Sequence, residues 1–228
     1  MRTDGARGVT RTPTLQWTAG DDALQHDVYF GTDEIAVADA DTTTPGIYRG
    51  RQVLSRYTPP EELEFERTYY WRIDQYNTDA SISKGRVWSF TVSAPLSEAL
   101  DTALSFTTGG SADWFAQTTT TRYDGDAAQS GDISHSQDSW MQTTVSGTGT
   151  IKFYWKVSSE EDFDFLEFYI DGSLQEKISG LEVDWEQQTY TISTSGSHTL
   201  EWRYVKDGSG NSGSDCGWVD KVEWVTNP

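Results

Sequence analysis

The side chains of this chain that could do chemistry are three histidines, one cysteine and a large excess of carboxylates. His26, His135 and His198 lie far apart, each isolated on a strand or turn, so spacing alone assembles no acid–base pair. Sequence leaves a Ser–His–Asp triad open, yet no G-x-S-x-G elbow marks a nucleophile. HExxH and CxxC metal motifs are absent too. Cys216 has no second cysteine to pair with. Its expected place is buried and reduced, with a catalytic thiol as the weaker reading. The expectation is therefore that the chain is not an enzyme.

The carboxylates say more. Glu160, Glu161, Asp162 and Asp164 cluster after "KVSS", and Asp207 and Asp215 lie in a Gly/Ser-rich loop after "YVKD". "YDGDAAQSGD" brings Asp124, Asp126 and Asp132 into another acidic turn. Hard oxygen donors beside glycine turns suit Ca²⁺, although none of these segments is an EF-hand loop. The other reading is structural: Glu160 and Asp164 would meet Arg203 or Lys206 of "WRYVKD" and pin strands together. Asp220 stands apart. In the otherwise apolar "GWVDKVEW" an unpaired buried carboxylate would cost several kcal/mol, so it needs a partner.

Aromatic rings are the third resource. Trp155, Trp202, Trp218 and Trp224 sit on apolar faces and are expected in a core. Tyr154, Tyr169, Trp140 and Trp185 fall opposite core positions or in loops. With Gln142, Glu201 and Arg203 they could form a platform on which sugar C–H groups stack while polar neighbours take hydroxyls. Alternatively they are ordinary sandwich aromatics covered by loops or by a neighbouring module.

Short strands must position these groups. Aromatic residues make up 13% of the chain, with ten Trp and eleven Tyr, enough for a core without disulfides despite a mean hydropathy of −0.63. Gly, Ser and Thr are frequent and no long Ala/Leu/Glu/Lys stretch occurs, which favours strands and turns. The formal charge of −19, from 36 acidic and 17 basic side chains, makes nucleic acid and anionic membranes poor partners. It is uneven: residues 1–96 carry 14 acids and 10 bases, residues 97–228 carry 22 and 7. No run of about 18 apolar residues predicts a membrane span. "MRTDGARGVTRT" lacks an apolar signal core and reads as the cut edge of a larger protein, so secretion or cell-surface display is inferred rather than seen.

Alternation predicts an all-β chain of two β-sandwich modules in tandem, residues 8–93 and 97–226, with "SAPLSEALDTA" between them. In the first, "PTLQWT", "HDVYFG", "TYYWRID" and "GRVWSFTV" alternate, with Tyr69, Trp71 and Ile73 on one face and Trp88, Phe90 and Val92 inward. "YTPPEELEFERTYYWRID" resembles the fibronectin type III family, and Leu63 and Tyr69 have that family's spacing. The resemblance implies a spacer, with the Tyr69 hydroxyl tied to nearby backbone.

In the second module "IKFYWKV" and "HTLEWRYVK" alternate apolar-in and polar-out, as in two packed antiparallel sheets. "SSEEDFDFLEFYIDG", "DWEQQTY", "HTLEWRYVKD" and "DCGWVDKVEW" together resemble the jelly-roll domains of large secreted bacterial proteins, both the MAM-like and the carbohydrate-binding type. That resemblance implies a structural Ca²⁺ held by a last-strand Asp and groups near the domain's start, here Asp220 with Asp101 or Glu98. It also implies a parent protein with covalently linked catalytic or adhesin domains. The expected function is a non-catalytic ancillary pair whose jelly roll binds polysaccharide through Tyr154, Tyr169, Trp140, Arg203, Glu201 and Gln142. The alternative is an adhesin or structural segment that makes protein or intermodule contacts without glycan.

Overall fold

The computed structural model describes residues 4–65, 67–181 and 183–227. The chain divides into two compact units, Met1–Ser93 and Ala94–Pro228, each built from strands.

In the first unit the strands are β1 (Ala6–Val9), β2 (Leu15–Gln16), β3 (Ala23–Gly31), β4 (Tyr48–Gln52), β5 (Arg56–Tyr57), β6 (Arg67–Asn77), β7 (Ile82–Ser83) and β8 (Val87–Val92), with helix α1 at Glu34–Asp39. The main sheet runs β1-β8-β6-β3-β4, β7 pairs with β6, and β2 pairs with β5 in a small second sheet. The alternating residues converge on a core of Leu15, Phe30, Leu63, Tyr69, Trp71, Phe90 and Val92. Alternation in β3 suggests one covered face, yet Tyr29 is buried as well, because α1 closes the other side with Val37 and Ala40. Asp33 starts that helix by accepting the Ala36 N–H at 2.7 Å. Arg72 anchors its far end: one guanidinium donates to the carbonyls of Val37, Ala38 and Ala40 and pairs with both oxygens of Asp74. The Tyr69 hydroxyl accepts the backbone N–H of Glu64 at 3.0 Å, the tie expected of it.

The second unit opens with a short helix, α2 (Leu96–Ala99), placed by Pro95 at its N-cap. Then come β9 (Thr107–Gly110), β10 (Phe115–Gln117), β11 (Ala127–Gln129), β12 (Asp138–Ser146), β13 (Gly149–Ser158), β14 (Phe165–Ile170), β15 (Ser173–Ile178), β16 (Val183–Ile192), β17 (Ser197–Val205) and β18 (Cys216–Thr226). They form two five-stranded sheets, β10-β11-β18-β13-β16 and β15-β14-β17-β12-β9. Consecutive long strands from β12 to β14, and from β16 to β18, change sheet at each step, a jelly-roll arrangement. Between the sheets Phe153 packs on Phe168 (centroids 4.7 Å) and edge-on to Trp202 (5.1 Å). Trp155 and Trp202 are fully buried, and removing either ring would cost about 3–5 kcal/mol. Cys216 is buried, and burial pushes its thiol up to about 12, so it stays protonated at neutral pH.

Candidate functional site

Strict alternation in β12, β14 and β17 sends every second side chain out of the second sheet, and pairing register lines those side chains into rows. One row reads Trp140, Arg203, Glu167, Lys177; the next reads Gln142, Glu201, Tyr169, Leu174. Five of the six expected glycan contacts therefore share one face. Strand spacing of about 4.8 Å and a rise of about 3.4 Å per residue put Trp140 and Tyr169 about 12 Å apart. The Trp140 indole lies over Gly109 of the edge strand β9, where any side chain would collide with the ring. Arg203 Nε stands 3.0 Å from Asp138 Oδ2. The Tyr169 hydroxyl donates to Glu167 at 2.5 Å; burial first, then this carboxylate, pushes the phenol up to about 12. Glu201 is raised too, by burial and by Asp138 and Glu167, with Arg203 opposing.

Tyr154 does not belong to this face. It projects from β13, on the outside of the other sheet, and so does not line up with Tyr169. Its strand and β14 follow one another in sequence, but a jelly roll places such neighbours in opposite sheets. Trp185, on β16, is in Tyr154's sheet as well. Glu167, Asp138 and Gly109 are the members the sequence reading missed. Glu167 carries the same outward phase as Tyr169 in "FLEFYI", so that signal was present.

Asp220 is fully buried in β18. Its Oδ2 accepts the backbone N–H groups of Arg122 (2.7 Å) and Tyr123 (2.9 Å), while its Oδ1 is buried without a partner. Burial raises its pKa, and Asp101 and Asp126 add to the rise. Asp101, which follows α2 in a left-handed conformation (φ 52°), is raised by burial and by its neighbour Asp124. Asp126 is raised by burial, Asp101, Glu98 and Asp124. Asp101 and Asp126 thus lie near enough to act on Asp220, Asp124 acts on Asp101, and Glu98 acts on Asp126. Carboxylate oxygens are donors of the hard type that Ca²⁺ takes, and one Asp220 oxygen is left without a partner. Among the described residues no group of three such side chains is placed to hold a metal ion.

The loop carboxylates after β13 behave differently. Asp164 and Lys206 are both fully buried, with Nζ 3.2 Å from Asp164, 2.7 Å from Asp215 and 2.9 Å from Asn211 Oδ1. Burial opposes the ammonium, but its bonds to Asp215 and Asp164 outweigh that and hold its pKa up. Of the two cations expected to face this group, Lys206 does so and Arg203 pairs with Asp138 instead. Glu160 has a buried oxygen without a hydrogen-bond partner and joins no ion pair among the described residues. His198 Nδ1 donates to Asp171 at 2.7 Å and its Nε2 donates to the Thr194 carbonyl at 3.0 Å, tying the turn before β17.

No family model matches the chain, and no curated protein matches it either. Solved structures similar to it include the secreted serine protease VesC from Vibrio cholerae, at 12% identity over 96% of this chain with a TM-score of 0.42. The chain spans 48% of that protein's length. The K3 cleaved adhesin domain of Lys-gingipain from Porphyromonas gingivalis is 11% identical over 53% of this chain and 91% of its own (TM-score 0.40). The CBM22-1 xylan-binding domain from Paenibacillus barcinonensis is 14% identical over 54% and 87% (TM-score 0.36). No helix among the described residues is long and apolar enough to cross a membrane.

Proposed function

We propose that the second unit is a non-catalytic module that binds polysaccharide on the outer face of β14, β17 and β12. The observation that carries this reading is the register that sets Trp140 and Tyr169 beside Gln142, Glu201 and Arg203 on one polar sheet face. Rings there offer faces to sugar C–H groups, and amide, carboxylate and guanidinium groups stand within reach of hydroxyls. Asp138, Glu167 and Glu201 outnumber Arg203 and Lys177 around the rings, which favours neutral or cationic glycans. A structural Ca²⁺ on Asp220, Asp101 and Glu98, joined by Asp124 and Asp126, would neutralise a group in which Asp101, Asp126 and Asp220 have raised pKa values. The first unit serves as a fibronectin-like spacer, a role to which the Tyr69 tie gives support. The pair would accompany covalently linked catalytic or adhesin domains in a secreted or cell-surface protein.

Affinity electrophoresis and calorimetry over plant, algal and microbial polysaccharides test this. Trp140→Ala and Tyr169→Ala should each weaken binding by about 1–3 kcal/mol. An empty panel with Ca²⁺ present would end the carbohydrate reading and favour a protein-contact or adhesin role.

A further inference from the structure

Tyr154, set apart from the Trp140 face, belongs to a second surface on which cations gather. It shares the outward phase of β13 with Lys152 and Lys156. The 118–126 loop folds over β18, held by the two backbone bonds to Asp220, and lays Tyr123 against Tyr154 with centroids 5.0 Å apart. The Arg122 guanidinium lies 5.4 Å from the Tyr123 centroid and 5.6 Å from that of Tyr154. Lys221 Nζ sits 4.3 Å from the Tyr123 ring.

Lys221 reaches this position by a bulge. The pairing of β13 with β18 slips between Lys152 and Tyr154, and Lys221 takes the left-handed region at φ 50°, which is strained for a lysine. Four of the seven cations of residues 97–228 consequently stand on one face of a strongly acidic unit. Lys156 is paired with Asp184 at 3.3 Å, and Glu223 is the register partner of Lys152. Arg122 and Lys221 have no ion pair among the described residues; both rest on tyrosine rings.

We propose that this face binds a carboxylate-bearing, uronate-type polysaccharide, with Arg122 and Lys221 taking the carboxylate and Tyr154 the flat of the pyranose. Charge complementarity selects this occupant: Arg122 and Lys221, which feel Asp184 and Asp101 but form no ion pair among the described residues, flank half-buried rings, a combination that suits an anionic sugar better than the cationic glycans the Trp140 face would accept. The inference stands independently of the Trp140 reading, because the two faces share no residue.

The test is calorimetry with an oligogalacturonide and its carboxyl-reduced neutral counterpart, each with chelator and with Ca²⁺. The uronate should bind under both conditions, more weakly at higher salt, and the reduced sugar should not. Arg122→Gln, Lys221→Met and Tyr154→Ala should each lower affinity roughly tenfold or more with an unchanged melting temperature. Arg122 is exposed, so its variant is expected to fold even if the bulge variant does not. No uronate binding, equal binding of the reduced sugar, or full affinity in Arg122→Gln and Tyr154→Ala would overturn the proposal. Binding that requires Ca²⁺ and ignores Arg122 would place the uronate at the Asp220 cluster and overturn it equally.

Discussion

Around Lys206 two carboxylates and an amide close on one ammonium, whereas around Asp220 carboxylates close on one another. Both sets lie in the second unit, and in both an aspartate is fully buried. Asp164 has its Lys206 at 3.2 Å and the Asp207 N–H at 2.9 Å, so the chain itself supplies the counter-charge. Asp220 has two backbone donors for one oxygen and no hydrogen-bond partner for the other, and the acids Asp101 and Asp126 act on it. The difference separates an acidic cluster that the chain neutralises itself from one that we propose receives a cation. A carboxylate paired within the protein asks for nothing more, while clustered carboxylates without a counter-charge would gain free energy from an external cation.

The largest effect should come from breaking the self-sufficient cluster. Lys206→Met leaves Asp164 buried and unpaired, and should cost about 3–5 kcal/mol in denaturant melts. Ca²⁺ should not restore that loss; restoration would erase the contrast between the two clusters. The Asp220 cluster should instead respond to the ion. At 100 times its dissociation constant, an ion that binds only the folded state stabilises by about 2.7 kcal/mol. Melting in chelator against millimolar Ca²⁺ measures this, and Asp220→Asn should remove the response. An unchanged melting temperature in the parent protein would dismiss the calcium reading.

Acidity sharpens the same contrast. Asp101, Asp126 and Asp220 have raised folded-state pKa values, so the ion-free protein loses stability as pH rises from the ordinary Asp value through the raised ones. Bound Ca²⁺ should cancel that loss, and the shift it produces should grow from acidic to neutral pH. A shift independent of pH over that window would mean the ion binds elsewhere. The smallest effect concerns His198, whose pKa is raised first by its bond to Asp171. Its contribution is fully present below the ordinary histidine value of about 6.5 and fades as pH rises through the raised one. His198→Gln should flatten that part of the stability profile, which a pH series of thermal melts would show.

The sequence by itself determined much of this. Alternation in "IKFYWKV" and "HTLEWRYVK" sufficed for the β-sandwich class and for the inward placement of Phe153, Trp155 and Trp202, since a strand sends alternate side chains to opposite faces whatever its neighbours. An acid in the apolar "GWVDKVEW" was enough to single out Asp220, because burial without a partner is costly in any fold. Pairing was beyond its reach. Which strands share a sheet depends on long-range hydrogen bonding, so the separation of Tyr154 from Tyr169 appeared only in three dimensions. The same holds for Asp126, brought to Asp101 by a loop that crosses β18, and for Lys221, turned by a bulge that depends on its partner strand. Local chemistry decides the face on which a side chain stands, but only the tertiary fold decides which side chains stand beside it.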